Sequence, residues 1–270
     1  MKNFSAGDQP SQTLAKGLLV LEKFNSKTPD WGVRELAREM DENHGTIHRI
    51  LKTLSNAGYL SQDESTKRYS LGSRVLKLAN EYIQENPLPS IALEVFKKYS
   101  DRFEYNFYLG KINNFEVIYL SVLDGRGRIQ IMIDPGATLA LHTTALGKAL
   151  LAFKGDDFIR EYIETIGLDK FTEKTISDSG LLQSQLSEIR KQKYAVNIGE
   201  HYKGIGAVGV PIINNDGIAE LGISLAYPQQ FVETGQIKLN RVISLAQNIA
   251  NHIKEKSSVM LNQTSLLRGY

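Results

Sequence analysis

The chain has 270 residues, 41% of them hydrophobic and 23% charged, with a formal net charge of +2. That is material for roughly one to three packed domains, and it excludes a whole-chain electrostatic pull toward nucleic acid or membrane. With no cysteine there is no disulfide framework, thiolate zinc site or cysteine nucleophile, which fits a reducing cytoplasm, the expected location.

Residues 1–10 read as a flexible polar lead without an apolar signal-peptide core, and no run of about 18 apolar residues marks a membrane span. Ser11 or Thr13 can cap a first helix to about Phe24, with Leu14, Leu18, Val20 and Leu21 at helical spacings. After the break at NSKTPDWG, a short helix covers about Val33–Met40. Asp41–Asn43 supply a turn and a new N-cap, and a second helix runs from about His44 to Asn56, stopped by Gly58. Tyr59–Gly72 reads as a small β-hairpin with a polar tip. Val75, Leu76, Leu78, Ala79 and Ile83 predict one amphipathic connecting helix over 73–88, ended by Pro87 and Pro89, with a domain boundary near residue 88.

The remainder alternates. A helix at about 90–103 leads to strands near 105–110, 116–123 and 129–133, then to a threonine-opened helix at 142–153. Further helices are expected near 157–165 and 181–191. A hairpin of 207–213 and 219–227 turns around Asn214–Gly217, and a last helix covers about 234–256. Residues 257–270 read as a loose tail. Antiparallel strand runs with segregated helices argue an α+β fold.

Two sequence patterns suggest enzymes. Gly204–Gly209 is a complete G-x-G-x-x-G, but Val210-Pro211-Ile212-Ile213 follows it. A dinucleotide site needs a helix there, and Pro211 forbids an ordinary helix interior, so a glycine-bearing loop entering a strand is expected. Those glycines would let backbone pass close to a neighbouring helix or a ligand. Gly222-Ile223-Ser224-Leu225-Ala226 resembles a nucleophile elbow, but apolar alternation continues to Tyr227, so Ser224 belongs to a strand. His44 and His48 alone have ligand spacing on a helix, without an H-E-x-x-H pattern, so no metal and no cofactor is expected.

Helix, turn, helix and a basic-tipped hairpin make a winged helix-turn-helix over residues 11–72, whose second helix enters a DNA major groove. Asn43, His44, Thr46 and His48 lie near the start of that helix, within reach of base edges or phosphates. Arg49 can bond guanine bidentately, and Arg34 and Lys52 suit phosphates. Lys67 and Arg68 at the hairpin tip suit backbone or minor-groove contact. Residues 1–72 hold ten Lys/Arg and nine Asp/Glu, a balance of +1, so tight binding requires dimerisation.

Three segments in order, ELAREMDENHGTIHRILKTLSNAGYLSQDESTKRYSLG, LHTTALGKALLAF and KYAVNIGEHYKGIGAVGVPIINNDGIAELGIS, resemble the IclR family of transcriptional regulators over about residues 11–256. The resemblance implies a DNA-binding domain (11–72), a linker helix (73–88) and a GAF-like effector domain (89–256). It implies a homodimer or dimer of dimers on double-stranded, palindromic operator DNA. It also implies a pocket between the start of the 143–153 helix and the signature strand. Carried over by position, the effector residues are Thr144, Ala145, Leu146, Gly147, Asn197, Ile205, Ala207 and Ser224, with Ile131 as an apolar wall.

Unpaired N–H groups at that helix start favour an anion, and Ser224 and Asn197 would orient it. The signature departs from the family at Lys193 and Asn197, where glycine and aspartate are usual. It departs again at Ala207 for a frequent cysteine and at Ile213 for an aromatic. A less negative, roomier pocket points to a small acidic effector, often a carboxylate, with Arg128 as a possible counter-charge and Lys148 turned to solvent or an interface.

The expected function is therefore a ligand-responsive, non-enzymatic transcriptional regulator, a repressor more readily than an activator. The alternatives are a hydrolase or other enzyme on the C-terminal domain, or a winged-helix protein-interaction module.

Overall fold

The computed structural model describes residues 11–100, 105–125, 133–214 and 216–267. The chain divides into two compact units, Met1–Asn86 and Pro87–Tyr270. No helix among the described residues is long and apolar enough to cross a membrane.

In the first unit, Ser11 caps α1 (Gln12–Glu22) by accepting from the Leu14 N–H at 3.4 Å. A two-residue strand β1 (Asp30–Trp31) precedes α2 (Val33–Glu39) and α3 (His44–Asn56). The wing follows as β2 (Leu60–Gln62) and β3 (Tyr69–Leu71). The expected hairpin is in fact a three-stranded sheet in the order β1-β3-β2. Two residues carry too little periodicity to announce a strand, and β1 exists because β3 offers Asp30 and Trp31 a partner. Val20, Leu36, Ile47, Leu51 and Tyr69 are fully buried between helices and sheet, so the apolar stripes of α2 and α3 turn inward, whereas on α1 Val20 is buried and Leu14 and Leu18 are exposed. Next comes α4 (Arg74–Glu85), none of whose side chains is buried.

The second unit opens with α5 (Leu88–Ser100). Pro87 and Pro89 begin this helix instead of merely ending the previous one: Pro89 lies in the first turn, where an N–H has no intrahelical acceptor to lose. Strands β4 (Asn106–Asn113), β5 (Glu116–Leu123) and β6 (Thr138–Ala140) follow. A 3-10 turn (Leu141–Thr143) then leads to α6 (Ala145–Leu151), and α7 (Asp156–Ile166) and α8 (Ser179–Gln192) come next. The chain continues with β7 (Ala195–Ile198), β8 (Ile205–Ile213), β9 (Ala219–Pro228), α9 (Gln230–Glu233) and α10 (Leu239–Leu267). The expected strand at 129–133 falls outside the described residues except for Ile133.

The sheet is antiparallel, in the order β6-β5-β4-β9-β8-β7. Alternate residues of its central strands face opposite ways. Phe107, Leu109, Val208, Val210, Ile223 and Leu225 pack with α5 and α10; Tyr108, Ala207 and Ala226 pack on the side of α6, α7 and α8. The last helix reaches Leu267, well into the expected loose tail, because residues 257–267 contain neither proline nor glycine to stop it. Residues 1–10, read as a flexible lead, lie outside the described residues.

Candidate functional site

The exposed face of α3 carries His44, His48, Arg49 and Lys52, opposite its buried Ile47, Ile50 and Leu51. Asn43 caps the helix: its side-chain oxygen accepts from Gly45 N–H at 2.8 Å. Thr46 is half-buried, and the His44 and His48 rings stack nearly parallel. Arg34 of α2 and Lys67 of the wing are exposed, Lys67 with a left-handed φ of 58°. Asp63 holds the wing turn, bonding Ser65 and Thr66 through one carboxylate oxygen, which lowers its pKa to about 2.

The charges in this unit are sorted. Lys16 pairs with Glu42 at 2.5 Å and Lys23 with Glu39 at 2.9 Å. Arg68 pairs with Asp30 and, at 2.8 Å, with Glu35. Four acids are therefore held by three internal cations, while no described ion pair takes Arg34, Arg49, Lys52 or Lys67. The near-zero balance of the segment hides a face of uncompensated positive charge. Arg68 is the exception among the expected DNA residues, because its guanidinium braces the wing against β1 and α2.

In the second unit, strand register gathers a small cavity against the start of α6. Tyr108 of β4 and Gly209 of β8 both pair with Ser224 of β9, while Asn197 of β7 and Ala226 of β9 both pair with Ala207. Thr144, Ala145, Asn197, Ile205, Ala207 and Ser224, all expected, line the cavity together. Leu146 and Gly147 do not: Leu146 is wholly buried in the core, and the Gly147 N–H is taken by the Thr144 hydroxyl at 3.0 Å. Ile131 and Arg128 lie outside the described residues. The expected helix from 142 begins later, at Ala145, because extended Thr144 serves as its N-cap.

The sequence reading missed Tyr108, Tyr119, Leu139, His201 and Tyr202, which also line the cavity. Tyr108 and Tyr119 meet edge to face at 5.4 Å. Tyr119 is bonded to the Thr144 side chain, and burial raises both phenols well above their usual range. About 40 Å3 of the cavity stays open to water, space for about three molecules. The only early signal was the in-facing parity of two tyrosines among apolar strand residues.

Behind the cavity is a polar frame. The Asn197 amide donates to Thr143 O and accepts from the N–H groups of Gly199 at 3.0 Å and Glu200 at 3.2 Å. Asn197 thus shapes the 199–204 loop as well as lining the cavity. Lys148, expected at the surface, is completely buried, with Nζ 2.5 and 2.7 Å from the Glu200 carboxylate and 3.2 Å from Val196 O. Burial draws the ammonium below and the carboxyl above their ordinary values, against the attraction of the pair. His142 Nδ1 lies 2.6 Å from the Tyr162 hydroxyl and Nε2 3.0 Å from Asp169 O; His201 Nδ1 lies 2.8 Å from Thr143 Oγ1. Burial lowers the pKa of both imidazoles.

The glycine pattern now has a packing cause. A Cβ on Gly209 would lie 2.3 Å from Ala145 O, and one on Gly206 would lie 2.5 Å from the Tyr227 ring. These glycines let β8 pass beneath α6 and Tyr227, and no helix follows them to receive a pyrophosphate. Ser224 lies inside β9, without the strand-to-helix turn of a nucleophile elbow. Lys193, where the family usually has glycine, ends α8 with a left-handed φ of 62°.

Comparison with known proteins agrees with this geometry. The p-hydroxybenzoate hydroxylase transcriptional activator of Acinetobacter baylyi is 28% identical over 246 residues, covering 89% of this chain and 90% of its own. The HTH-type transcriptional regulator KdgR of Escherichia coli is 25% identical over 197 residues, covering 73% of this chain and 75% of its own. The crystal structure of Thermotoga maritima IclR matches with a TM-score of 0.71 at 26% identity, over 90% of this chain and 98% of that one. An IclR homolog from Microbacterium hydrocarbonoxydans, solved with 4-hydroxybenzoate, shares the fold with a TM-score of 0.79 at 21% identity, over 90% and 98% of the two chains. The model of the IclR helix-turn-helix domain matches residues 13–64, and that of the bacterial transcriptional regulator IclR C-terminal domain matches residues 80–255. With the winged helix, the antiparallel sheet and the cavity against α6 all in place, the chain belongs to the IclR family of bacterial transcriptional regulators.

Proposed function

We propose that this regulator places α3 in the major groove of a palindromic operator and releases or reshapes that contact when a small acid occupies the cavity of its second unit. The observation that carries the DNA reading is the sorting of charge: internal cations engage Asp30, Glu35, Glu39 and Glu42, and no described ion pair engages the cations of the α3 face. Arg49 is assigned to a base edge, with His44, Thr46 and His48 beside it. Arg34, Lys52 and Lys67 are assigned to phosphates. Asn43 acts chiefly as the cap that aims the helix.

Exposed Leu14 and Leu18 on α1 and Leu76, Leu78, Tyr82 and Ile83 on α4 supply apolar surface for a homodimer, which a two-fold operator requires. Thr144, Ala145, Asn197, Ile205, Ala207 and Ser224 form the effector site. The open volume, about 40 Å3, is small for an organic acid, so we infer that the walls move when one binds. Such a ligand favours a different conformation from the empty one, which is the differential affinity that allosteric control demands.

The test is a titration of the protein with its own upstream DNA, with and without a carboxylate library. Binding should weaken steeply with salt and change with at least one acid. Arg49→Ala should cost about 1–3 kcal/mol of operator affinity at unchanged thermal stability. Equal affinity for operator and scrambled DNA at every salt concentration sinks the operator reading.

A further inference from the structure

We propose that His201 is the specificity residue of the cavity: it selects acids by taking up one proton and pairing the resulting imidazolium with the ligand's carboxylate. The inference rests on the effector reading above and adds the group that meets the ligand's charge.

Geometry singles out this residue. Among the described residues that line the cavity, His201 alone has a side chain able to become a cation; the other polar groups there are hydroxyls and the Asn197 amide. Its ring is already held in place. Nδ1 is tied to Thr143 Oγ1 at 2.8 Å, and no described protein group takes Nε2. The ring lies against Phe171 at 4.5 Å between centroids, and Tyr202 meets it edge-on at 4.4 Å. An aromatic face beside an imidazole favours its charged form once a ligand brings the counter-charge.

The surroundings keep the ring neutral while the cavity holds only water. Burial disfavours the charged imidazole most, and His142 in the 3-10 turn acts in the same direction. On its own loop Glu200 is engaged with Lys148 of α6, so that pair presents little net charge. Tyr108 from β4 and Tyr119 from β5 are held neutral by burial. The Asp169 carbonyl is occupied by His142 rather than His201. A carboxylate arriving from solvent therefore draws one proton from the buffer onto His201, and the ion pair forms in place. A neutral ester of the same shape gains nothing from this step.

The experiment uses the full chain. A carboxylate library containing benzoate, 4-hydroxybenzoate and succinate is screened by thermal shift. The strongest binder is then titrated calorimetrically in two buffers of different protonation enthalpy. The expected result is uptake of about one proton per site, with affinity falling about tenfold per pH unit above neutrality until the liganded imidazole itself loses its proton. His201→Gln should bind the same acid more weakly, without proton uptake and with a flat pH profile. If that variant does not fold, the His201 imidazole resonances of the wild-type protein, titrated with the acid, give the same answer by reporting a protonated ring. Binding of the acid with no proton uptake, or uptake unchanged in His201→Gln, overturns the assignment while leaving the effector reading intact. Binding of no acid by a folded, operator-binding protein overturns the acidic-effector reading and this inference with it.

Discussion

The two faces of the six-stranded sheet are built from alternate residues of the same strands, yet they are constructed on different principles. Toward α5 and α10, Phe107, Leu109, Val208, Ile223, Leu225 and Ile249 form a dry apolar layer. Toward α6, the strands present Tyr108, Ala207, Gly209, Ser224 and Ala226, with Asn197, His201, Lys148 and Glu200 packed around them. Large apolar side chains on the first face stabilise by burial and interdigitation. Small residues on the second let α6 approach closely and leave a polar cavity, at the cost of burying charges that must keep their partners. Both faces bury an apolar core, and the comparison teaches that only the second leaves room within it for a polar cavity.

The sharpest way to break that division is to exchange the effects. Phe107→Ala should cost about 3–5 kcal/mol in denaturant unfolding, because its ring is fully buried against Phe96. A loss below about 1 kcal/mol would mean the apolar layer under α5 and α10 contributes little to stability. Next in size, Lys148→Met leaves the Glu200 carboxylate buried without its partner and should cost about 3 kcal/mol; Lys148→Met with Glu200→Leu should recover most of it. If the double variant is no better than the single, the pair does more than satisfy its own charges.

A smaller effect is set by pH. His142 and His201 have folded pKa values below the ordinary imidazole value of about 6.5, so the unfolded chain binds protons more readily. Their neutral forms contribute stability that is fully present above about pH 6.5 and lost as pH falls through the lowered folded values. Melting curves between about pH 7.5 and pH 5.5 should show stability declining as pH falls, and the decline should be flattened in His142→Gln with His201→Gln. The smallest expected stability change is for Ser224→Ala, within about 0.5 kcal/mol, since no described hydrogen bond is lost. Effector affinity should nevertheless change severalfold in calorimetry, which would separate binding from stability on the site face.

Much of this architecture was legible in the residues. Apolar spacing placed α2 and α3 almost to the residue, and alternation placed β5 and the β8–β9 hairpin. Proline after the glycine pattern removed the dinucleotide reading, and the order of three family-like segments located the cavity between α6 and β8. Strands β1, β6 and β7 were missed because two, three and four residues are too few for a period to show. Leu146 and Gly147 were assigned to the cavity because they flank its helix start; which way each side chain or N–H turns depends on the helix that Thr144 caps.

The sequence by itself determined the helical and strand periods, the family pattern and the acid-poor composition of α3, since all of these are local or ordered along the chain. Only the tertiary structure decided which charges and polar groups find one another. Arg68 meets Asp30 and Glu35 across 38 and 33 residues, Lys148 meets Glu200 across 52, and Thr143 meets His201 across 58. A residue's charge is written in its name, but whether that charge is free, paired or buried is set by partners that only folding brings within hydrogen-bond distance.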